Sequence, residues 1–157
     1  MLIVKTFEID SAHRLMGTEE EVGDCGFIHG HRYKIEIGIS GEPNNLGFVI
    51  NFKDLKRIVK KLDHKIFLNE KDPLINPIIQ TYSDEKKDRS NIIVLPGNPS
   101  VEMLAALLAG DIKKELDLLP DYIQIWETAS AYTVWQNIGG ANINEGGKDE
   151  NIKEDWN

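Results

Sequence analysis

Alternation of apolar and polar residues dominates the first part of the chain. Residues 2–9 are rich in β-branched side chains and predict a first strand. In residues 31–40, apolar side chains at odd positions alternate with polar ones, which predicts a second strand with one buried face. Turn-forming residues fill positions 41–47, so we expect a sharp reversal of the chain after the second strand.

Apolar residues recur at helical spacing in two later segments. Asn51 is a good N-cap, and the apolar side chains after it predict a helix that ends near residues 62–64. Asn98 as cap and Pro99 at the first helical position predict the start of a second helix, which ends before Pro120. The two apolar stripes are Phe52, Leu55, Ile58, Val59 and Leu62, and then Val101, Leu104, Ala105, Leu108 and Ile112.

The remaining segments complete one predicted domain over residues 1–137. A short strand is expected at 91–95 and a long one at 122–135, while the polar residues 69–91 predict a surface insertion with room for a short helix. Residues 138–157 are polar and predict a frayed tail. The order of elements predicts an α+β fold, an antiparallel sheet with helices on one face, whose open edges are suited to pairing with other subunits.

Composition narrows the function classes. The chain has 157 residues, of which 41% are hydrophobic, so an ordinary globular domain is expected. The net charge of -8 argues against nucleic acid as a partner. No apolar run is long enough to span a bilayer and no signal-peptide pattern opens the chain, so we expect no membrane partner and a cytoplasmic location. A single cysteine, which cannot form an intramolecular disulfide, fits a reducing compartment.

Three of the four histidines favour a metal site. His29 and His31 form a His-x-His pair on one face of the predicted second strand, and His13 follows the first strand. Three histidines with an open fourth position are typical of catalytic zinc. Iron, nickel or cobalt would also accept imidazole ligands. The structural alternative is a closed tetrahedral site in which Cys25 is the fourth ligand.

Two further candidates for proton chemistry have more than one interpretation. Cys25 is inert, a metal ligand, or a thiolate that acts as a base beside the metal. Asp63 and His64 stand at a helix end, where a histidinium is favoured by the helix dipole, and the alternative is a carboxylate that orients an acid–base histidine. From the residues alone, the helix-end interpretation of this pair is preferred.

Two candidate substrate-binding residues are Glu127 and Ser100. Glu127 shares strand parity with Ile123 and Ile125, and a carboxylate on an apolar face is costly without a partner. A ligand with two adjacent N–H donors would satisfy it; alternatively the strand bulges and Glu127 faces water. Ser100 and Glu102 are equally well explained as capping and dipole residues of the second helix.

Several short motifs, taken together and in order, resemble one enzyme family. The chain resembles the 6-pyruvoyl-tetrahydropterin synthase / 6-carboxy-tetrahydropterin synthase family over about residues 1–135. The motifs are Phe7 to Leu15, Cys25-x-x-x-His29-Gly30-His31-x-Tyr33, Gly47 to Phe52, Leu62-Asp63-His64, Asn98-Pro99-Ser100-x-Glu102 and Glu127-Thr128.

The resemblance implies a fold and a set of roles. The fold is the tunnelling fold (T-fold), an antiparallel four-stranded sheet with two helices packed on one face. It assembles into an oligomeric barrel of trimers and then hexamers, with active sites between subunits. The zinc ligands match His13, His29 and His31, the catalytic base matches Cys25, and the proton relay matches Asp63 and His64. Glu127 matches the carboxylate that anchors the pterin ring, and Ser100 a pterin-contacting hydroxyl.

The resemblance also implies the reaction, a zinc-dependent cleavage of 7,8-dihydroneopterin triphosphate. The spacing from Cys25 to His29 resembles the 6-carboxy-tetrahydropterin synthases of queuosine or archaeosine biosynthesis, which release acetaldehyde and triphosphate. The alternative within the family is a 6-pyruvoyl-tetrahydropterin synthase. The alternative from another class is a non-catalytic metal-binding protein. Asn51 departs from the usual Asp of the family but keeps the N-cap role, and Arg14, Lys34 and Lys53 are candidate triphosphate-binding residues.

Overall fold

One long antiparallel hairpin forms the centre of the sheet. Strand β1 (Leu2–His13) pairs along its whole length with β2 (His29–Ser40), in a register that puts His13 opposite His29. The structure is a computed structural model that describes residues 1–83 and 91–138. Both strands are longer at the histidine end than the alternation predicts, so all three candidate metal ligands lie within the hairpin.

A second hairpin extends the sheet on the β2 side. Strand β5 (Tyr122–Trp126) pairs with β2 and turns back into β6 (Tyr132–Gln136). The prediction of one long strand over 122–135 is therefore wrong. Residues 127–131 form the turn, in which the N–H groups of Glu127 and Thr128 both donate to the carbonyl of Ala131, at 3.0 and 3.3 Å. Glu127 consequently follows directly on the end of β5.

Two short parallel strands extend the sheet on the β1 side. Strand β3 (Ile66–Asn69) pairs with β1 at Ala12 and His13, and β4 (Ile92–Leu95) pairs with β3. Within the described residues the strand order is β4-β3-β1-β2-β5-β6, a mixed six-stranded sheet. The expected four-stranded antiparallel sheet is thus wrong in strand number and in direction, because β3 and β6 are additional strands and the β1–β3 and β3–β4 pairs are parallel.

The described residues contain four α-helices, not the two predicted. The predicted pair corresponds to α2 (Phe52–Val59) and α4 (Val101–Leu116). The short helix α1 (Glu19–Val22), in a segment predicted as loop, has a capping box between Thr18 and Glu21. Helix α3 (Ile75–Ser83) lies within the predicted insertion. The predicted tail lies outside the described residues from position 139 onward.

The starts of the two long helices differ in how well the sequence predicts them. Asn51 caps α2 as predicted, since its side chain accepts from the N–H of Lys53 at 3.0 Å. Asn98 does not cap α4. Ser100 holds the N-cap position instead, and the amide of Asn98 is bonded to the backbone of Met16. The cap prediction at Asn98 is wrong because this side chain has a partner distant in sequence.

The main core lies between one face of the sheet and the helices α2 and α4. The alternating residues of β2 and β5 provide its sheet side, and the buried stripes of both helices provide the other. On β2 the same parity continues past Tyr33 into His31 and His29, so the polar site begins where the apolar core ends. Among the described residues, no helix combines the length and apolar character that crossing a bilayer requires.

Candidate metal centre

The hairpin register brings the three predicted metal ligands together. His13 ends β1 opposite His29, and His31 lies two residues further along β2 on the same face. The ring centroids are 4.5 Å apart for His13 and His29, 5.1 Å for His13 and His31, and 4.9 Å for His29 and His31. One ring nitrogen from each histidine lies within 4.8 Å of the others. His13 is the most deeply placed of the three, with 2% of its surface exposed.

Two backbone carbonyls determine the tautomers of His13 and His29. His13 Nδ1 lies 2.7 Å from the carbonyl oxygen of Pro99, and His29 Nδ1 lies 2.9 Å from that of Phe27. A carbonyl oxygen only accepts, so both Nδ1 atoms carry a proton, and in the neutral form of the rings both Nε2 atoms present lone pairs. These two Nε2 atoms are 2.9 Å apart. Two lone pairs at this distance repel each other unless a cation lies between them.

The third histidine also points an unused nitrogen into the cluster. His31 Nε2 is buried and has no hydrogen-bond partner among the described residues. Burial lowers the pKa of His31 and, together with the neighbouring rings, that of His13. Both rings are therefore neutral at neutral pH, which is the protonation state that binds a metal.

These observations fit a first-row metal ion. Two nitrogens that bind one tetrahedral zinc at about 2.0–2.1 Å are themselves about 3.3 Å apart. The spacing of the three ring nitrogens brackets that value. Imidazole also suits iron, nickel and cobalt, so the donor set indicates a metal without choosing one. Within the residues described, the group of possible metal ligands comprises His13, His29 and His31 and does not include the thiol of Cys25.

A carboxylate borders the histidine cluster. Oε1 of Glu127 lies 3.5 Å from His13 Nε2 and 3.8 Å from His31 Nε2. Glu127 continues the parity of the buried residues Ile123 and Ile125 in β5, which turns its side chain toward the histidines. Its negative charge lies where a bound dication would offset it.

Asp63 and His64 form a pair of their own between α2 and β3. Asp63 Oδ1 lies 3.0 Å from His64 Nδ1 and accepts from the N–H of Asp10 at 3.1 Å. Desolvation raises the pKa of Asp63, but these hydrogen bonds outweigh it and hold the pKa below its ordinary value. The side chain of His64 is 79% exposed. A shallow depression of about 500 Å³ is lined by both His64 and His31.

The structure does not place Cys25 and Ser100 in the cluster. Cys25 lies in a 3-10 turn (Gly23–Gly26) with an exposed thiol, and its carbonyl accepts from the N–H of Leu15 at 2.8 Å. Ser100 occupies the N-cap of α4, yet its hydroxyl makes no capping hydrogen bond. Ser100 therefore has the capping position of the alternative interpretation, without the capping hydrogen bond.

Sequence reasoning missed other parts of the site. The carbonyl of Pro99 is a backbone group and leaves no signal in the sequence. Tyr33 is fully buried, with its ring 5.5 Å from that of His31 and its hydroxyl unpartnered among the described residues; its parity with the histidines was the available signal. Of the candidate triphosphate-binding residues, Arg14 lies against Asp72, with 3.1 Å between Nε and Oδ2.

Comparison with known proteins gives a consistent result. A family model described as 6-pyruvoyl tetrahydropterin synthase matches residues 2–137. The 6-carboxy-5,6,7,8-tetrahydropterin synthase of Haemophilus influenzae is 32% identical over 146 residues, covering 85% of this chain and 97% of the relative. The enzyme of the same name from Rickettsia typhi is 28% identical over 138 residues, covering 82% and 94%.

A solved structure supports the fold. The 6-pyruvoyl tetrahydropterin synthase of Caenorhabditis elegans matches 87% of this chain and 95% of its own, with a TM-score of 0.60 at 18% identity. At this identity the likeness concerns the fold alone. The expected T-fold is confirmed at that level, with the two short parallel strands and two further helices described above.

Proposed function

Because the chain belongs to the 6-pyruvoyl tetrahydropterin synthase family, we propose that residues 1–137 form a zinc-dependent pterin lyase. The proposed reaction converts 7,8-dihydroneopterin triphosphate and water to 6-carboxy-5,6,7,8-tetrahydropterin, acetaldehyde and triphosphate. The observation that carries the proposal is the convergence of three imidazole nitrogens beside one carboxylate. The segment 69–91, which begins at the last residue of β3, is proposed as a surface insertion.

The proposed metal ligands are His13, His29 and His31, each of which would offer one ring nitrogen to the ion. Three histidine ligands are typical of catalytic zinc sites, in which the fourth position is left for water or substrate. Zinc bound there supplies Lewis acidity, which lowers the pKa of substrate hydroxyl groups and of the adjacent C–H bonds. His13 and His29 hold their Nε2 atoms ready, because each Nδ1 donates to a carbonyl.

Glu127 is the proposed anchor for the pterin ring. Its carboxylate can accept two parallel hydrogen bonds, from the exocyclic amino group and from the neighbouring ring N–H. Such a ligand satisfies a group that is turned toward the interior, where an unpaired charge is costly. The uncommitted hydroxyl of Ser100 is available to make a further contact with the pterin.

Cys25 is the proposed base, and Asp63 with His64 the proposed proton relay. The Asp63 carboxylate accepts from His64 Nδ1–H, so Nε2 is the basic nitrogen of that ring. The exposed His64 and the exposed thiol of Cys25 then hold and move protons during isomerisation of the side chain.

Exposure of these groups supports an oligomer in which neighbouring copies complete each site. Strands β4 and β6 are the two ends of the described sheet, and their free backbone edges suit pairing with another copy. We propose a homo-oligomer, a hexamer built as a dimer of trimers.

The carboxy branch is preferred over the pyruvoyl branch for two reasons. The gap between Cys25 and His29 is short, and the relatives from Haemophilus influenzae and Rickettsia typhi, which match over most of the chain, are named carboxy synthases. This branch places the chain in queuosine- or archaeosine-type deazapurine biosynthesis. The pyruvoyl product is the second candidate, favoured by the name of the matching family, 6-pyruvoyl tetrahydropterin synthase.

Product analysis tests the function. Purified protein loaded with zinc is incubated with 7,8-dihydroneopterin triphosphate, pterin products are separated by chromatography with mass detection, and acetaldehyde is measured by a coupled alcohol dehydrogenase assay. Acetaldehyde with the carboxy product is expected, the pyruvoyl product alone would select the other branch, and neither product would refute both.

Cys25→Ala separates the lyase from a metal-binding protein that has no catalytic role. A lyase loses turnover in this variant but keeps its zinc, because the thiol does not belong to the histidine group. A structural site closed by Cys25 would instead lose zinc and stability together.

A further inference from the structure

We propose that Asn98 is a positioning residue of the metal centre. Its side chain holds the loop before α4 so that the carbonyl of Pro99 meets His13 Nδ1 and leaves His13 Nε2 for the metal. The inference rests on the metal site of the proposed function and is independent of the pterin reaction. The starting observation is that Asn98, a residue type suited to capping, stands two residues before the N-cap Ser100 and does not cap the helix.

The first step is the double hydrogen bond between Asn98 and Met16. Asn98 Oδ1 accepts from the N–H of Met16 at 2.8 Å, and Asn98 Nδ2 donates to the carbonyl of Met16 at 2.7 Å. One side chain thereby satisfies both backbone groups of a residue, as a neighbouring strand would. Met16 follows His13 by three positions, so the loop of Asn98 is tied to the segment that carries the ligand.

The second step is the orientation of the Asn98 amide. Asn69, the last residue of β3, donates from Nδ2 to Asn98 Oδ1 at 3.3 Å. Oδ1 of Asn98 therefore accepts from two N–H groups while Nδ2 donates to a carbonyl, and the flipped amide would lose all three hydrogen bonds. Since β3 is itself paired with β1 at His13, the three segments constrain one another.

The third step is the position of the Pro99 carbonyl. The backbone carbonyl of Asn98 accepts from the N–H of Ser100 at 2.8 Å, and that of Ser100 accepts from Leu104 in the first turn of α4 at 3.1 Å. Pro99 lies between these two anchored residues, has a fixed φ and has no N–H of its own. Its carbonyl is thus held 2.7 Å from His13 Nδ1 in a buried environment, and this bond selects the tautomer that ligates through Nε2.

The experiment compares zinc affinity in Asn98→Ala and in a matched control, Asn44→Ala. Asn44 lies in the turn between β2 and α2, and its Oδ1 also accepts from two backbone N–H groups, those of Leu46 and Phe48. Competition with a chelator should show zinc bound about 10- to 100-fold more weakly by Asn98→Ala, as is typical for loss of outer partners of metal ligands. Asn44→Ala should bind zinc like the unaltered protein.

A second readout follows the His13 tautomer in metal-free protein. Side-chain ¹⁵N NMR should show His13 with its proton on Nδ1 in the unaltered chain and in Asn44→Ala, and a mixture of tautomers in Asn98→Ala. Loss of general stability alone would not move this signal. If Asn98→Ala does not fold, Asn69→Ala removes one of the three hydrogen bonds and should give a smaller change of the same sign.

The outcomes separate this inference from the proposed function. If Asn98→Ala binds zinc as tightly as Asn44→Ala and keeps one His13 tautomer, Asn98 does not position the ligand. If the unaltered protein binds no zinc, the metal centre itself is refuted, and the metal role of Asn98 falls with it. If zinc binding and the tautomer both respond as expected but no pterin product forms, the positioning role stands and the proposed reaction fails.

Discussion

The Nε2 atoms of His13 and His29 lie 2.9 Å apart while the opposite nitrogen of each ring donates to a backbone carbonyl. Two acceptor nitrogens at this distance repel each other, and a cation bound between them would turn the repulsion into attraction. The strand register creates the arrangement, because His13 and His29 are paired across the β1–β2 hairpin. The hairpin register therefore forms the candidate metal site.

Removal of one ligand should remove the metal. His31→Ala is expected to lower bound zinc from about one ion per chain to near zero after dialysis, because two imidazoles hold zinc far more weakly than three. Elemental analysis measures the content. His64→Ala is the control, since this exposed histidine pairs with Asp63 and is not in the cluster. Stoichiometric zinc in His31→Ala would contradict the assignment.

Neutralising the carboxylate beside the cluster should weaken substrate binding without removing the metal. Glu127→Gln keeps the shape but loses the charge-assisted pair of hydrogen bonds, worth about 1.5–3 kcal/mol per bond to a charged group. We expect kcat/KM to fall by at least about tenfold with zinc retained. Glu102→Gln, in the first turn of α4, is a control that should stay near the unaltered value.

Acid should destabilise the protein in part through Asp63. Desolvation raises the pKa of Asp63, but the hydrogen bonds from Asp10 N–H and from His64 lower it below the ordinary value of 3.8. The stabilising contribution is therefore complete above that value and is lost as the pH falls through the lower pKa of the folded state. Melting temperatures of the unaltered protein and of Asp63→Asn should converge as the pH falls below the pKa of Asp63 in the folded state. A constant difference at all pH values would contradict this account.

Loss of the cation from a buried ion pair should lower the free energy of unfolding more than loss of the cation from an exposed pair. Asp72 has a fully buried side chain, and its Oδ2 lies 3.1 Å from Arg14 Nε, whereas Asp10 and Arg32 form an exposed pair. Arg14→Met leaves a buried carboxylate unpaired and should cost about 3 kcal/mol or more of unfolding free energy. Arg32→Met should cost less than about 1 kcal/mol. Denaturant unfolding measures both free energies, and equal effects of the two substitutions would contradict this prediction.

Local sequence patterns predicted those elements that form through residues close together in the chain. The parity of β2 placed His29 and His31 on one face, and Asn51 caps α2 as its neighbours indicate. The turn at 127–131 was missed because Glu-Thr-Ala-Ser-Ala contains no glycine, proline or asparagine. Strand β3 was missed because its four residues show no alternation of apolar and polar side chains. Its partner strand β4 is also distant in sequence.

The sequence also predicted only those parts of the candidate site that consist of side chains with recognisable chemistry. Side chains with metal-binding chemistry were visible in the sequence, whereas the carbonyls of Phe27 and Pro99 that orient them were not. Asn98 carried a misleading local signal, since an asparagine before a proline and a helix predicts a cap. Its partner Met16 is brought to it only by the completed fold.

If zinc binds as proposed, the pairing of His13 with His29 also makes the stability of the chain depend on the free zinc concentration. The two rings come together only when the β1–β2 hairpin has formed, so the unfolded chain has no equivalent site. By mass action, a ligand that binds only the folded state and is present at 100 times its dissociation constant adds about 2.7 kcal/mol to the free energy of unfolding. The melting temperature should accordingly rise with zinc concentration and fall in a chelating buffer, and it will describe the protein only together with the free zinc level at which it was measured.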